Sequence, residues 1–140
     1  MAMIASLAQE TISLMGSWDF ATGDSATYND YVMLPGSMQT NGKDSAYVGK
    51  AWYKKDIYIP QSWEDRHINL FLERPHTEST IFVNGVKAGH QTSPSTSHSY
   101  NVTPCIKPGS RNTIEVCVEN QDRWNGIIGK MELRSQPGDV

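Results

Sequence analysis

Hydrophobicity in this chain repeats every two residues, in short runs cut by turn residues, and this alternation restricts the fold more than any other feature. Between Gly49 and Pro60, one face takes Ala51, Tyr53, Ile57 and Ile59, and the other takes Trp52, Lys54, Asp56 and Tyr58. Ile68, Leu70 and Leu72 alternate in the run from His67 to Glu73, as do Ile114, Val116 and Val118 between Asn112 and Glu119. From Ile127 to Arg134, Met131 and Leu133 oppose Lys130, Glu132 and Arg134. Successive side chains of a strand point to opposite faces, so each run has one face for a core and one for water. Asn84-Gly85 separates the strand-like residues Thr80 to Val83 from Val86 to Gly89, a strong hairpin signal because both turn positions need positive φ. Pro35-Gly36 and Pro108-Gly109 mark connections, and Gln91 to Ser99 reads as a loop. No long segment places apolar residues at helical spacing. The pattern predicts an all-β, antiparallel β-sandwich in which two sheets bury their apolar faces against each other.

The length, 140 residues, suits one domain. A chain of that size buries roughly two-thirds of the surface its unfolded form exposes, enough for one core. With 38% hydrophobic and 19% charged residues, it lacks the low hydrophobicity and high net charge of a disordered segment. A formal charge of −3 and the absence of any Lys/Arg run argue against nucleic acid or an anionic membrane as partner. No segment approaches the roughly 20 apolar residues of a membrane span. Cys105 and Cys117 match neither a disulfide scaffold nor a metal motif and read as free thiols, Cys117 facing away from Val116 and Val118. Residues 1–13 read as a flexible leader. The alternative is the remnant of an export signal, since Ile4-Ala5-Ser6-Leu7-Ala8 resembles the end of one while a basic start and a full apolar stretch are missing.

Little in the sequence points to catalysis. Glycoside cleavage needs two carboxylates flanking one bond, and the acidic residues are scattered as on the wet faces of any sandwich. There is no Gly-x-Ser-x-Gly elbow. His67, His76, His90 and His98 lack metal-ligand spacing, so no metal and no cofactor is expected. Asn101-Val102-Thr103 fits a glycosylation pattern but reads equally as a strand end. The aromatics are more informative, because sugar C–H faces stack on exposed rings beside polar side chains. Trp52, Trp63, Trp124, Tyr47 and Tyr100 are candidates for that role, while Trp18 and Trp52 suit a core or a domain contact better. Trp124 stands out because it lies in the polar turn Gln121-Asp122-Arg123-Trp124-Asn125.

Taken in order, the motifs resemble a known set. Leu14-x-Gly16-x-Trp18-x-Phe20 and Leu34-Pro35-Gly36-Ser37 are similar to the opening of the N-terminal sugar-binding domain of glycoside hydrolase family 2, the family of β-galactosidases, β-glucuronidases and β-mannosidases. Gly49-x-Ala51-Trp52-Tyr53-Lys54-Lys55 with Ile59-Pro60 and Trp63 resembles its next strand. Leu70 to Arg74, Val83-Asn84-Gly85 and Gly89-His90 resemble its hairpin. Tyr100-Asn101-Val102-Thr103, Lys107-Pro108-Gly109-x-x-Asn112 and Asn125-Gly126-Ile127 resemble its last segments. The resemblance runs from Leu14 to Arg134.

The resemblance implies a galactose-binding-like jelly roll over residues 14–134, with 135–140 as a tail. It also implies a non-catalytic role, because in that family a separate TIM barrel carries the two catalytic glutamates. Loops of the first domain reach the sugar pocket in some relatives, and the matching positions here are Gln39, Thr40 and Asn41, then Thr92 and Ser93, then Gln121, Asp122, Arg123, Trp124 and Asn125. Ser93 stands where some β-galactosidases carry an aspartate, and Gly129 where an arginine is frequent. The expected function is an accessory domain that shapes a carbohydrate pocket and packs on the remaining domains of a family 2 enzyme. The alternatives are a stand-alone carbohydrate-binding module and an interaction module without sugar affinity.

Overall fold

A computed structural model of the chain describes residues 8–93, 96–121 and 125–138. The alternating runs become strands, and the only helical segments among these residues are two short 3-10 turns, Gln61–Trp63 and Thr103–Cys105. The strands are β1 (Glu10–Ser13), β2 (Gly16–Thr22), β3 (Asp30–Leu34), β4 (Gly36–Ser37), β5 (Lys50–Ile59), β6 (His67–His76), β7 (Glu78–Val83), β8 (Val86–Gln91), β9 (His98–Asn101), β10 (Ser110–Glu119) and β11 (Gly126–Gln136). Five form one sheet in the order β1-β11-β6-β9, with β4 also on β11. Six form the other, in the order β3-β2-β5-β10-β7-β8. Every pairing is antiparallel.

The period-two pattern fixes which side chains meet between the sheets. Ala51, Tyr53 and Ile59 of β5, Ile81 and Val83 of β7 and Ile114, Val116 and Val118 of β10 are buried from one side. They face Ile68, Leu70 and Leu72 of β6 and Ile127, Met131 and Leu133 of β11. Each such aliphatic side chain contributes about 1.5–3 kcal/mol on leaving water. Trp18 completes the core under β2, its indole N–H donating to the Leu14 carbonyl at 2.7 Å.

Asn84 and Gly85 take φ of 52° and 81°, as the hairpin between β7 and β8 requires. The Asn84 side chain then does a second job. Its amide donates to Cys105 O and to Asn112 Oδ1, and its own oxygen accepts from Thr113 N. Asn112, fully buried, uses the same oxygen for Lys107 N and donates back to Lys107 O and Ser110 O. The Asn-Gly hairpin and the Lys107–Asn112 turn, separate motifs in the sequence, are thus one hydrogen-bonded corner.

Two boundaries differ from the sequence reading. Glu10–Ser13, assigned there to a flexible leader, pairs with β11 in the register Glu10↔Ser135. Four residues with only Ile12 apolar carry almost no alternation, and the strand is held by tertiary contacts: Ile12 packs on the core and Glu10 accepts the Trp63 indole N–H at 3.1 Å. Ser135 and Gln136, assigned to a tail, belong to β11, where buried Arg66 donates to the Ser135 hydroxyl at 2.9 Å.

Candidate functional site: the loop end of the sandwich

Strand register collects the candidate loops at one end of the sandwich. Glu119, the last residue of β10, lies opposite Glu78, the first of β7. Ser79 lies opposite Gln91, the last of β8. Gly126, the first of β11, pairs with both His76 and Ser37. The 38–49 segment, the turn at Thr77, residues 92 and 93, residues 96 and 97, and residues 120, 121 and 125 therefore emerge together. The structure brings Gln39, Thr40 and Asn41 to the same end as Thr92, Ser93 and Gln121. Asp122, Arg123 and Trp124 lie outside the described residues.

These loops are held by buried amides. Asn125, fully buried, accepts the Tyr53 hydroxyl at 3.0 Å and donates to Val118 O at 2.7 Å. Its own carbonyl accepts Met38 N, which anchors the first loop. Asn120 accepts Gly49 N and donates to Tyr47 O, both at 2.9 Å. Low-dielectric surroundings strengthen such bonds and make their loss costly. They also revise three readings. Asn125 has no surface for a sugar and works as a tether. Asn41 accepts Met33 N at 2.7 Å and donates to Met33 O at 3.0 Å, so it caps the open edge of β3 against strand addition. The Thr40 hydroxyl exchanges bonds with Ser37 N and Ser37 O within its own turn. Gln39, Thr92 and Gln121 are exposed, and Ser93 pairs its hydroxyl with Thr96 while its carbonyl lies 2.8 Å from His98 Nε2.

The aromatic candidates divide differently from expectation. Trp63 is 1% exposed and Tyr100 4%, so neither offers a ring face to a ligand. The sequence around Trp63 is polar, and only tertiary packing into the core buries it. Tyr100 bonds through its hydroxyl to Ser79 O at 2.7 Å, in a buried cluster with His98, and burial pushes its phenol above its ordinary pKa. Tyr47 is half-buried, its hydroxyl donating to Lys50 O. Trp52 remains half-exposed on the outer face of the six-stranded sheet.

A cavity of about 560 Å³ opens beside the first loop, lined by Ser37, Gln39, Thr40, Arg74, Pro75, His76 and Ile128. The sequence reading missed Arg74, Pro75, His76 and Ile128. One signal was available: Ile127 and Ile128 are adjacent apolar residues in an alternating strand, so one must face out. A bulge follows, where the register shifts between Ile128 and Met131 and Gly129 takes φ of 82°. A Cβ on Gly129 would sit 2.6 Å from Glu73 Oε1, and that carboxylate accepts Lys130 N at 2.8 Å. Ile128 is left 41% exposed over the cavity.

Several carboxylates have structural partners. Asp30 pairs with Lys43 at 2.5 Å, and that bond together with the Tyr31 amide holds its carboxyl below the usual range. Glu115 accepts the Tyr28 hydroxyl at 2.8 Å, and burial with this neighbouring carboxylate pushes the phenol far up. Asp56 accepts from Thr113, and Glu132 from Arg134. Among the described residues no group of three or more His, Cys, Asp or Glu could hold a metal ion.

Two stacked antiparallel sheets with converging loops and an apolar cavity at one end define a jelly-roll sandwich of the galactose-binding-like class. Comparison with known proteins is more specific. No protein-family model matches the chain. A β-glucuronidase of Streptococcus agalactiae is 24% identical over 123 residues, 80% of this chain and 20% of its own length. A β-galactosidase of Bacteroides ovatus is 27% identical over 77 residues, 55% of this chain and 9% of its own. The solved β-D-glucuronidase of Dictyoglomus thermophilum superposes with a TM-score of 0.83 at 22% identity, over 94% of this chain and 29% of that one, a likeness of fold. Over most of its length the chain is thus similar in sequence to part of a β-glucuronidase, and in fold to the sandwich of such glycosidases. It spans a fifth or less of the length of the curated relatives it matches.

Proposed function

We propose that this chain is a non-catalytic accessory domain of a family 2 β-glycosidase, which shapes one wall of the sugar cleft and packs on the catalytic domain. The observation that carries the reading is the convergence of the 38–49 loop with Thr92, Ser93, Asn120, Gln121 and Asn125 at one end, braced from inside by Asn120 and Asn125. A rim held by buried hydrogen bonds is preorganised, and preorganisation lowers the cost of binding. Gln39, Thr92 and Gln121 are the polar groups such a rim offers to sugar hydroxyls, with Thr40 and Ser93 beside them and Asp122, Arg123 and Trp124 next in the chain. The cavity with Pro75 and exposed Ile128 is the apolar surface that a neighbouring domain would cover. The relatives' names include both glucuronidase and galactosidase, so the reading covers β-glycosides as a class.

The test is to purify the chain alone and assay it with chromogenic β-glucuronide and β-galactoside. No turnover is expected, and calorimetry with either sugar should show no saturation in the micromolar range. Hydrolysis, or a micromolar endpoint, would remove the accessory reading.

A further inference from the structure

The outer face of the six-stranded sheet carries an arrangement that core packing does not explain. Strand register places Trp52, Cys117, Thr80 and His90 in one row across β5, β10, β7 and β8. Phe82 stacks beside Trp52, with ring centroids 6.0 Å apart and planes inclined by 31°, so the two rings form a shallow V. The Trp52 indole N–H donates to Gly23 O at 2.8 Å, which fixes that ring. Polar groups surround the V. The next row pairs Glu119 with Lys50 on one side and with Glu78 on the other. Two carboxylates directly opposite each other on neighbouring strands repel, and a sheet has no internal reason to keep them. Neither glutamate, nor Lys50, makes a side-chain hydrogen bond or ion pair with another described residue. His90 Nδ1 meets Thr80 Oγ1 at 2.7 Å, and its Nε2 remains for a further bond. These residues line a cleft of about 220 Å³.

We infer that this cleft is a second sugar site, on the outer sheet face where the Lys50, Glu119 and Glu78 row borders the loop end, and that it takes a single neutral hexopyranose residue. A V of two fixed rings matches the C–H face of a pyranose, and the surrounding groups match its hydroxyls. Glu78 and Glu119 accept from adjacent hydroxyls, while Lys50 and His90 donate. The cleft is smaller than the roughly 300–1,000 Å³ of sites for drug-sized ligands, which limits it to one ring. The two carboxylates against one lysine exclude a uronate, since an added carboxylate would be repelled. Cys117, which lines the cleft opposite Trp52, stays a neutral thiol, because burial pushes it up to about 11.

The test is a titration of the full 140-residue chain, followed by ¹H–¹⁵N NMR, with methyl β-D-galactopyranoside, methyl β-D-glucopyranoside and methyl β-D-glucuronide. A neutral glycoside should move the Trp52 indole N–H and the amides of 78–82 saturably, with a Kd on the order of 1 mM. The glucuronide should bind about tenfold more weakly. Phe82→Ala should weaken binding about tenfold. His90→Ala, a change at an exposed side chain that preserves the fold, should weaken it about fivefold. Glu119→Gln should lower affinity while raising the melting temperature, because it relieves the repulsion with Glu78. The proposal is overturned by no saturable change at Trp52 up to about 100 mM, by changes confined to Gln39 and Gln121, or by unaltered affinity in His90→Ala. None of these outcomes touches the accessory reading, which the hydrolysis assay decides separately.

Discussion

Replacing Asn125 with alanine should unlock the loop end, and the size of the effect follows from its bonds. The wild-type side chain is fully buried, accepts the Tyr53 hydroxyl at 3.0 Å, donates to Val118 O at 2.7 Å and reaches Gly49 O at 3.4 Å. Alanine removes all three and leaves the Tyr53 hydroxyl and the Val118 carbonyl buried without that partner. Each unsatisfied buried group costs about 1–3 kcal/mol, and the lost side-chain volume adds a further ~1 kcal/mol as a cavity. The sum, about 4 kcal/mol, is a large part of the roughly 5–15 kcal/mol that holds a domain folded. Urea unfolding should show it as a midpoint lowered by about 2 M, for a slope near 2 kcal/mol/M. Tyr53→Phe removes only one member of the first bond and should cost about 1–2 kcal/mol. The double variant should fall short of the sum of the singles by about 1 kcal/mol, because the two side chains share that bond. A loss below about 1 kcal/mol in Asn125→Ala would refute the tether argument, since it would mean that water or another donor replaces the side chain at no cost.

Three further outcomes are expected. Trp63→Ala should cost about 3–5 kcal/mol in thermal unfolding, as for a core aromatic, and a variant as stable as wild type would place the ring at the surface. Cys117, its thiol pushed up to about 11 by burial, should react with iodoacetamide at pH 8 about a hundredfold more slowly in the native chain than in urea; equal rates would contradict the buried position. Asp30 should titrate below the ordinary aspartate pKa of about 3.9, and Lys43→Met should bring it back toward that value in a carboxyl NMR titration. Its folded pKa is depressed, so the stability it contributes is present above the unfolded value and is lost as pH falls through the folded one. An unshifted Asp30 in the wild type would remove the pairing with Lys43.

The main strands and the Asn84-Gly85 turn were legible because their information is local. Alternation along β5, β6, β10 and β11 reports which face is buried, and positive φ at a two-residue turn restricts residue type wherever it occurs. The motif order carried the family for the same reason, since Gly16, Trp18, Asn84 and Asn112 each answer a requirement visible in their neighbours. The candidate site was only partly legible. The loops were legible as segments between strands, yet Asn41 and Asn125 are braces and Trp63 a core residue, because an amide or indole in a polar stretch looks the same whether it faces a sugar or a backbone carbonyl.

By itself the sequence determined that the chain is an antiparallel sandwich and which faces of its strands are buried, since hydrophobic period and turn chemistry act over a few residues. Only the tertiary structure decided that β1 joins the sheet, that three distant loops share one end, and that Trp52, Phe82, Glu78, Glu119 and His90 meet on one face. Those facts depend on strand order and register between residues far apart in the chain. A linear pattern says which side of a strand is dry, but the neighbour that will lie across from it is chosen by the packing of both sheets at once.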